Sequence, residues 1–92
     1  MIKLYSKDNC GYCMMAKGFL NNNGFEYEIV AIDKDDEARD FIMNEGHRTM
    51  PQIYVNGKVI DGGWNGLNAL GVDGLNALIN ETTLNTSELG SL

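Results

Sequence analysis

The chain has 92 residues, enough for one domain with a modest core and too few for two. Thirteen acidic against seven basic side chains give a net charge of −6, which removes any electrostatic case for binding nucleic acid or an anionic membrane. A hydrophobic content of 43% supports a globular fold, while no apolar run approaches the roughly 18 residues of a membrane span.

Met1-Ile2-Lys3-Leu4-Tyr5 enters a strand pattern directly, without the apolar stretch and small-residue cleavage site of a secretory signal. Ile2 to Tyr5 alternates apolar and polar residues and reads as a short strand with Ile2 and Leu4 turned to the core. After the polar loop Ser6 to Asn9, a helical period takes over at Gly11. Tyr12, Met15, Ala16, Phe19 and Leu20 make its apolar stripe, and Lys17 lies on the wet side. Met14 and Met15 are expected to pack rather than to ligate a metal. Asn21-Asn22-Asn23-Gly24 ends the helix, with Gly24 suited to a left-handed cap.

Phe25 to Ile32, rich in aromatic and β-branched residues, reads as a second strand. Strand, helix and strand within about thirty residues form a βαβ unit, so the two strands should be parallel. Asp33, Asp35, Asp36 and Glu37 are expected to cap the next helix and complement its dipole rather than to bind metal. Ala38, Phe41 and Ile42 supply that helix's apolar face, and Gly46 marks its end. Pro51 cannot donate to a ladder and belongs at the start of the strand Gln52-Ile53-Tyr54-Val55. Asn56-Gly57 is a two-residue hairpin signal that returns the chain along Lys58 to Asp61. Gly62-Gly63 breaks that strand.

Trp64 to Leu70 and Val72 to Ile79 are helical in pattern and read as one helix and its extension, kinked near Gly71. They contain a short repeat, Gly66-Leu67-Asn68-Ala69-Leu70 returning as Gly74-Leu75-Asn76-Ala77-Leu78. Two copies make no solenoid. Residues 81–92, rich in Thr, Ser and Asn, read as a frayed polar tail outside a domain of residues 1–80.

The chemistry-bearing motif is Cys10-Gly11-Tyr12-Cys13. At the first turn of a helix both sulfurs fall on one side, where a disulfide can close. Unpaired N–H groups at the helix N-terminus favour the anion of the first sulfur, and only a thiolate attacks a disulfide. Cys10 is therefore the expected nucleophile and Cys13, less exposed, the resolving thiol. Structural zinc would need about four ligands, and the chain offers no further cysteine and one histidine, His47. Two inert, buried cysteines are opposed by the polar surroundings of Cys10, namely Lys7, Asp8, Asn9 and Gly11. A close pair in a chain without an export signal fits a transient disulfide in a reducing compartment, so a cytoplasmic protein is expected.

The order β-α-β-α-β-β-α, with C-x-x-C after the first strand, Thr49-Met50-Pro51 before the hairpin and Gly62-Gly63 after it, resembles the glutaredoxin class of the thioredoxin fold over roughly residues 2 to 80. The resemblance implies an α/β fold with a four-stranded mixed sheet flanked by helices. It further implies a monomeric oxidoreductase that reduces protein disulfides and glutathione mixed disulfides, with glutathione restoring the dithiol. Pro51 would be cis and would present the backbone of Met50 to the cysteinyl part of glutathione. Lys7, Tyr12, Arg48 and Thr49 would line the groove, and Gly62 and Gly63 would admit the γ-glutamyl end.

This chain departs from the family's commonest pattern at Gly11, where proline is usual, and at Trp64-Asn65, where an aspartate usually takes the glutathione amine. Asn65 brings no charge, which implies weaker glutathione binding. Trp64-Asn65-Gly66-Leu67 is also similar to a stretch of the glutaredoxin-like electron donors of ribonucleotide reductase, which thioredoxin reductase reduces. A further alternative under the resemblance is a [2Fe-2S] carrier in which Cys10 and a glutathione thiol from each of two protomers hold the cluster.

Overall fold

Side-chain direction in the two central strands decides which helix covers which face of the sheet. In the computed structural model, which describes the backbone of residues 1–91 and the side chains of residues 1–80, the elements run β1 (Ile2–Ser6), α1 (Gly11–Asn22), β2 (Tyr27–Ala31), α2 (Asp36–Asn44), β3 (Gln52–Val55), β4 (Lys58–Val59) and α3 (Gly63–Ser91). The sheet order is β2-β1-β3-β4, with β1 parallel to β2 and antiparallel to β3, and β4 antiparallel to β3. Ile2 and Leu4 of β1 and Ile53 and Val55 of β3 meet Ala16 and Leu20 of α1 and Leu67 and Leu75 of α3 on one side. Tyr5 and Tyr54 point the other way and meet Ala38 and Ile42 of α2.

With both faces covered, all four residues of β3 are buried, as a continuous rather than alternating strand requires. The two layers are unequal. Of the largest fully buried side chains, Leu4, Leu20, Ile53, Leu67 and Leu75 lie on the α1/α3 side and only Ile42 lies under α2. At roughly 1.5 to 3 kcal/mol for each such burial, the α1/α3 layer carries most of the hydrophobic stabilisation.

The helix ends follow the expected chemistry. Gly24 (φ 72) closes α1 in a Schellman turn in which the Phe25 N–H donates to the Leu20 carbonyl at 3.0 Å. Asp35 caps α2 by accepting the Ala38 N–H at 3.1 Å, and Gly46 (φ 84) ends it with the His47 N–H on the Ile42 carbonyl at 3.1 Å. Asn56 (φ 51) and Gly57 (φ 88) both take the left-handed conformation of a type I′ turn. Gly71 (φ 67, ψ −174) kinks α3. In an unbroken helix, residues eight apart are about 80° out of phase. The kink lies between the repeated leucines, and both Leu67 and Leu75 reach the core with no exposed surface.

Three expectations need correction. Tyr12, Met14 and Met15 of α1 are 59%, 70% and 51% exposed, so none is a core residue. The sheet and α3 cover only a narrow line of the helix, Cys13, Ala16 and Leu20, and the stripe is rotated toward Cys13. β2 begins at Tyr27 rather than Phe25, because Phe25 belongs to the turn that closes α1. Ile29 is 45% exposed because β2 is an edge strand. β4 ends at Val59, two residues early, although Ile60 N–H still donates to the Ile53 carbonyl at 2.8 Å. The helical backbone of α3 is traced to Ser91. The expected polar tail falls on side chains that, with all of Leu92, lie outside the described residues.

Candidate active site

Asn9, in the left-handed conformation (φ 57), turns the chain out of the loop after β1 and into α1. Asparagine tolerates that conformation through its short polar side chain. The next residue, Cys10, is extended (φ −117, ψ 105) and occupies the N-cap of α1, where its Sγ accepts the Cys13 N–H at 3.2 Å. A sulfur that already accepts a backbone N–H at a helix N-terminus is stabilised as a thiolate once reduced. The first turn of α1 contains no acidic residue to oppose this effect.

Cys10 and Cys13 are joined by a disulfide, with Cα atoms 5.2 Å apart. Their surroundings differ. Cys13 is 3% exposed within the α1 core line, whereas Cys10 is half-buried at the edge of a groove. An external sulfur can therefore reach Cys10 alone.

The far wall of the groove is made by two chain segments. The Met50–Pro51 peptide bond is cis, and the Met50 carbonyl oxygen lies 3.8 Å from Cys10 Sγ. The Gln52 side-chain amide donates to the Thr49 carbonyl at 2.9 Å, holding the loop before Pro51. Gly62 (φ 91) and Gly63 (φ 55) then bring bare backbone against this loop. A Cβ on Gly63 would stand 2.8 Å from the Pro51 carbonyl oxygen, so no side chain fits.

The groove encloses about 500 Å³, and of the residues expected at the site it brings together Lys7, Cys10, Tyr12, Arg48, Thr49, Met50, Pro51, Gly62, Gly63, Trp64 and Asn65. Cys13 is not part of its lining, while Asn9 and Gly11 are. Tyr12 thus faces the groove, as the resemblance implied, and not the core, as the helical period implied. Asn9, expected only as part of the polar surroundings of Cys10, joins the groove itself; an asparagine ahead of a helix cap is a signal of a left-handed turn. The ion pairs among the described residues are Lys34 with Asp8 and Arg39 with Asp36, so Lys7 and Arg48 enter the groove as unpaired cations.

The described residues contain no group of three or more His, Cys, Asp or Glu side chains able to hold a metal. One accessible cysteine sulfur per chain does not fit an iron–sulfur cluster without a second copy and added thiols.

Residues 2–60 match the family model for glutaredoxin. The chain belongs to the glutaredoxin family. It is 35% identical to a probable glutaredoxin of Synechocystis over 63 residues, covering 66% of this chain and 72% of that one. Its fold is similar to that of a buckwheat glutaredoxin crystallised with glutathione, with a TM-score of 0.72, 26% identity, and coverage of 87% of this chain and 76% of the other. It is also similar to NrdH-redoxin of Escherichia coli, a glutaredoxin-like protein with a thioredoxin-like activity profile, at a TM-score of 0.60, 26% identity, and coverage of 63% and 76%. The chain accordingly has the thioredoxin-like α/β fold and belongs to a family of oxidoreductases.

Proposed function

We propose that the protein is a glutathione-dependent thiol-disulfide oxidoreductase acting on protein disulfides and glutathione mixed disulfides. The observation that carries this reading is the placement of the one accessible cysteine sulfur, that of Cys10, at a helix N-cap and at the head of a groove with a bare backbone wall and two cations that have no ion-pair partner among the described residues. Glutathione is a peptide with two carboxylates and one reactive sulfur. Lys7 and Arg48 suit the carboxylates. Met50, whose carbonyl oxygen lies 3.8 Å from Cys10 Sγ, suits a backbone pairing beside the reacting sulfur. The likeness to a glutaredoxin crystallised with glutathione supports the same assignment.

In the reduced enzyme, the Cys10 thiolate attacks one sulfur of the target disulfide, forming an S–S bond as the other target sulfur leaves as thiolate. Cys13, deprotonated, then attacks Cys10 Sγ, releasing the second target sulfur and closing the Cys10–Cys13 disulfide present in the structure. One glutathione thiolate opens that disulfide at Cys10, and a second removes the glutathionyl group. The balance is one target disulfide and two glutathiones in, one target dithiol and one glutathione disulfide out. Because Cys13 is buried, its partner is Cys10 rather than a solution disulfide, and small mixed disulfides require only Cys10. The cycle belongs to a reducing compartment, which for this chain we take to be the cytoplasm.

A second reading keeps the dithiol chemistry and changes the electron source to thioredoxin reductase, with ribonucleotide reductase as a candidate protein substrate. It is favoured by Trp64 and the uncharged Asn65 in the groove and by the likeness to NrdH-redoxin. The test is one disulfide substrate offered with glutathione and its reductase in one assay and with thioredoxin reductase in another. Saturable turnover in the first supports the glutathione cycle; turnover confined to the second replaces it with the other source.

A further inference from the structure

Under α2, where hydrophobic burial is thinner, a buried phenol is tied to the start of the substrate loop. Tyr54 of β3 is 5% exposed and packs its ring against Tyr5 and Phe41, with centroids 5.4 and 5.5 Å away. Its hydroxyl donates to Glu45 Oε1 at 3.1 Å and lies 2.9 Å from His47 Nε2. A hydroxyl has one proton. With that proton directed at Glu45, the His47 Nε2–H is the donor to Tyr54 Oη, and the chain runs from imidazole to phenol to carboxylate. Burial and the neighbouring Glu45 carboxylate push the phenol up to about 12, so it remains a donor through the ordinary pH range. Two residues back on the same face of β3, the Gln52 amide holds the Thr49 carbonyl. Arg48 lies between these two anchored points and carries its charge into the groove.

We propose that Tyr54 and His47 are positioning residues that fix the His47–Met50 loop and so place Arg48 and the Met50 backbone for the disulfide-bearing ligand. Neither residue lines the groove or contacts Cys10, so they act on ligand binding and not on thiolate chemistry. The ligand assignment rests on the glutathione reading above; the clamp itself does not.

The test compares Tyr54→Phe, His47→Ala and His47→Gln with the wild type, using the mixed disulfide of glutathione and 2-mercaptoethanol. Phenylalanine retains the ring packing, and glutamine retains an N–H donor for Tyr54. Tyr54→Phe and His47→Ala should raise KM roughly three- to tenfold, the range expected for one ordinary hydrogen bond, with kcat and the Cys10 alkylation rate unchanged. His47→Gln should return KM to within about twofold of wild type, as retention of the bond requires. Amide exchange at Arg48 and Thr49 should accelerate in the first two variants and not in the third. The clamp is overturned if Tyr54→Phe leaves exchange at the wild-type rate, if it lowers kcat at unchanged KM, or if His47→Gln is as damaging as alanine. If the wild type does not turn over the mixed disulfide, the glutathione reading has failed, and amide exchange in the same variants decides the clamp alone.

Discussion

The two walls of the groove are built on opposite terms. On the Cys10 wall, a Cβ added to Gly11 would meet nothing within 4 Å, and Tyr12 stands largely in solvent. On the glycine wall, a Cβ at Gly63 would stand 2.8 Å from the Pro51 carbonyl oxygen; behind that wall, at Gly66, whose N–H donates to the Gly62 carbonyl, a Cβ would stand 1.8 Å from the Asp61 carbonyl oxygen. One wall holds the reacting atoms and tolerates change in shape; the other holds no reacting side chain and tolerates almost none. Reactivity and packing constraint are thus separated across a single groove, and substitutions on the two sides should fail in different ways.

Gly66→Ala should have the largest effect. Alanine in place of glycine inside a helix would ordinarily stabilise by about 1 kcal/mol. Here the added methyl group meets a backbone carbonyl at 1.8 Å, which no side-chain rotation can relieve. Overpacking should dominate, with a net loss of about 3 kcal/mol or more in urea denaturation. A stability at or above wild type would show that the Asp61 turn yields easily, and would dissolve the contrast between the walls.

Gly63→Ala should come next, at about 2 kcal/mol, from its positive φ and its 2.8 Å approach to Pro51. Because the group displaced belongs to the groove, KM should rise as well. A stability loss with unchanged KM would mean that the strain relaxes toward α3 and leaves the Pro51 loop in place.

Much of this architecture was legible in residue order, and the parts that were not share a cause. Asn56-Gly57, Asp35, Gly24 and Gly71 act through their own backbone conformation or a partner within a few residues, so local chemistry suffices to place them. The groove residues were placed by family likeness, since Lys7, Arg48 and Gly62 carry no local signal of their convergence. What periodicity misjudged was phase. Tyr12 and Cys13 are adjacent candidates for the buried line of α1, and only the packing of the sheet and α3 selects Cys13. The bond between His47 and Tyr54 was invisible for the same reason: a lone histidine and an aromatic strand residue become partners only when β3 lies beside the end of α2. Gly66 was noticed as part of a repeat, but its contact with Asp61 exists only in three dimensions.

On the reactive wall, Cys13→Ser should separate two activities instead of damaging the fold. Reduction of protein disulfides should fall about tenfold, equivalent to about 1.4 kcal/mol in barrier height, because the mixed disulfide on Cys10 can no longer be resolved from within. Turnover of small glutathione mixed disulfides should stay within about twofold, since Cys10 and free glutathione complete that cycle. Parallel kinetics on both substrate classes would check this, and equal loss of both would assign Cys13 a packing role only.

The smallest effect is expected at Gly11, and its sign is the informative part. Gly11 is the first residue of α1, where a backbone N–H has no partner within the helix, so proline there removes no intrahelical hydrogen bond. Proline also requires the preceding residue to be extended, and Cys10 already is, at φ −117 and ψ 105. With nothing within 4 Å of an added Cβ, Gly11→Pro meets no neighbour at that atom, and the reduced freedom of the unfolded chain should dominate. The substitution should raise stability by about 0.4 to 1 kcal/mol. Urea denaturation of the oxidised protein would measure it, because the disulfide then constrains both forms alike. A gain at Gly11 beside a loss at Gly63 would show that neighbouring glycines of one groove serve opposite purposes. A loss at Gly11 would mean that the active-site turn uses glycine's freedom in a conformation other than the helical first turn of α1.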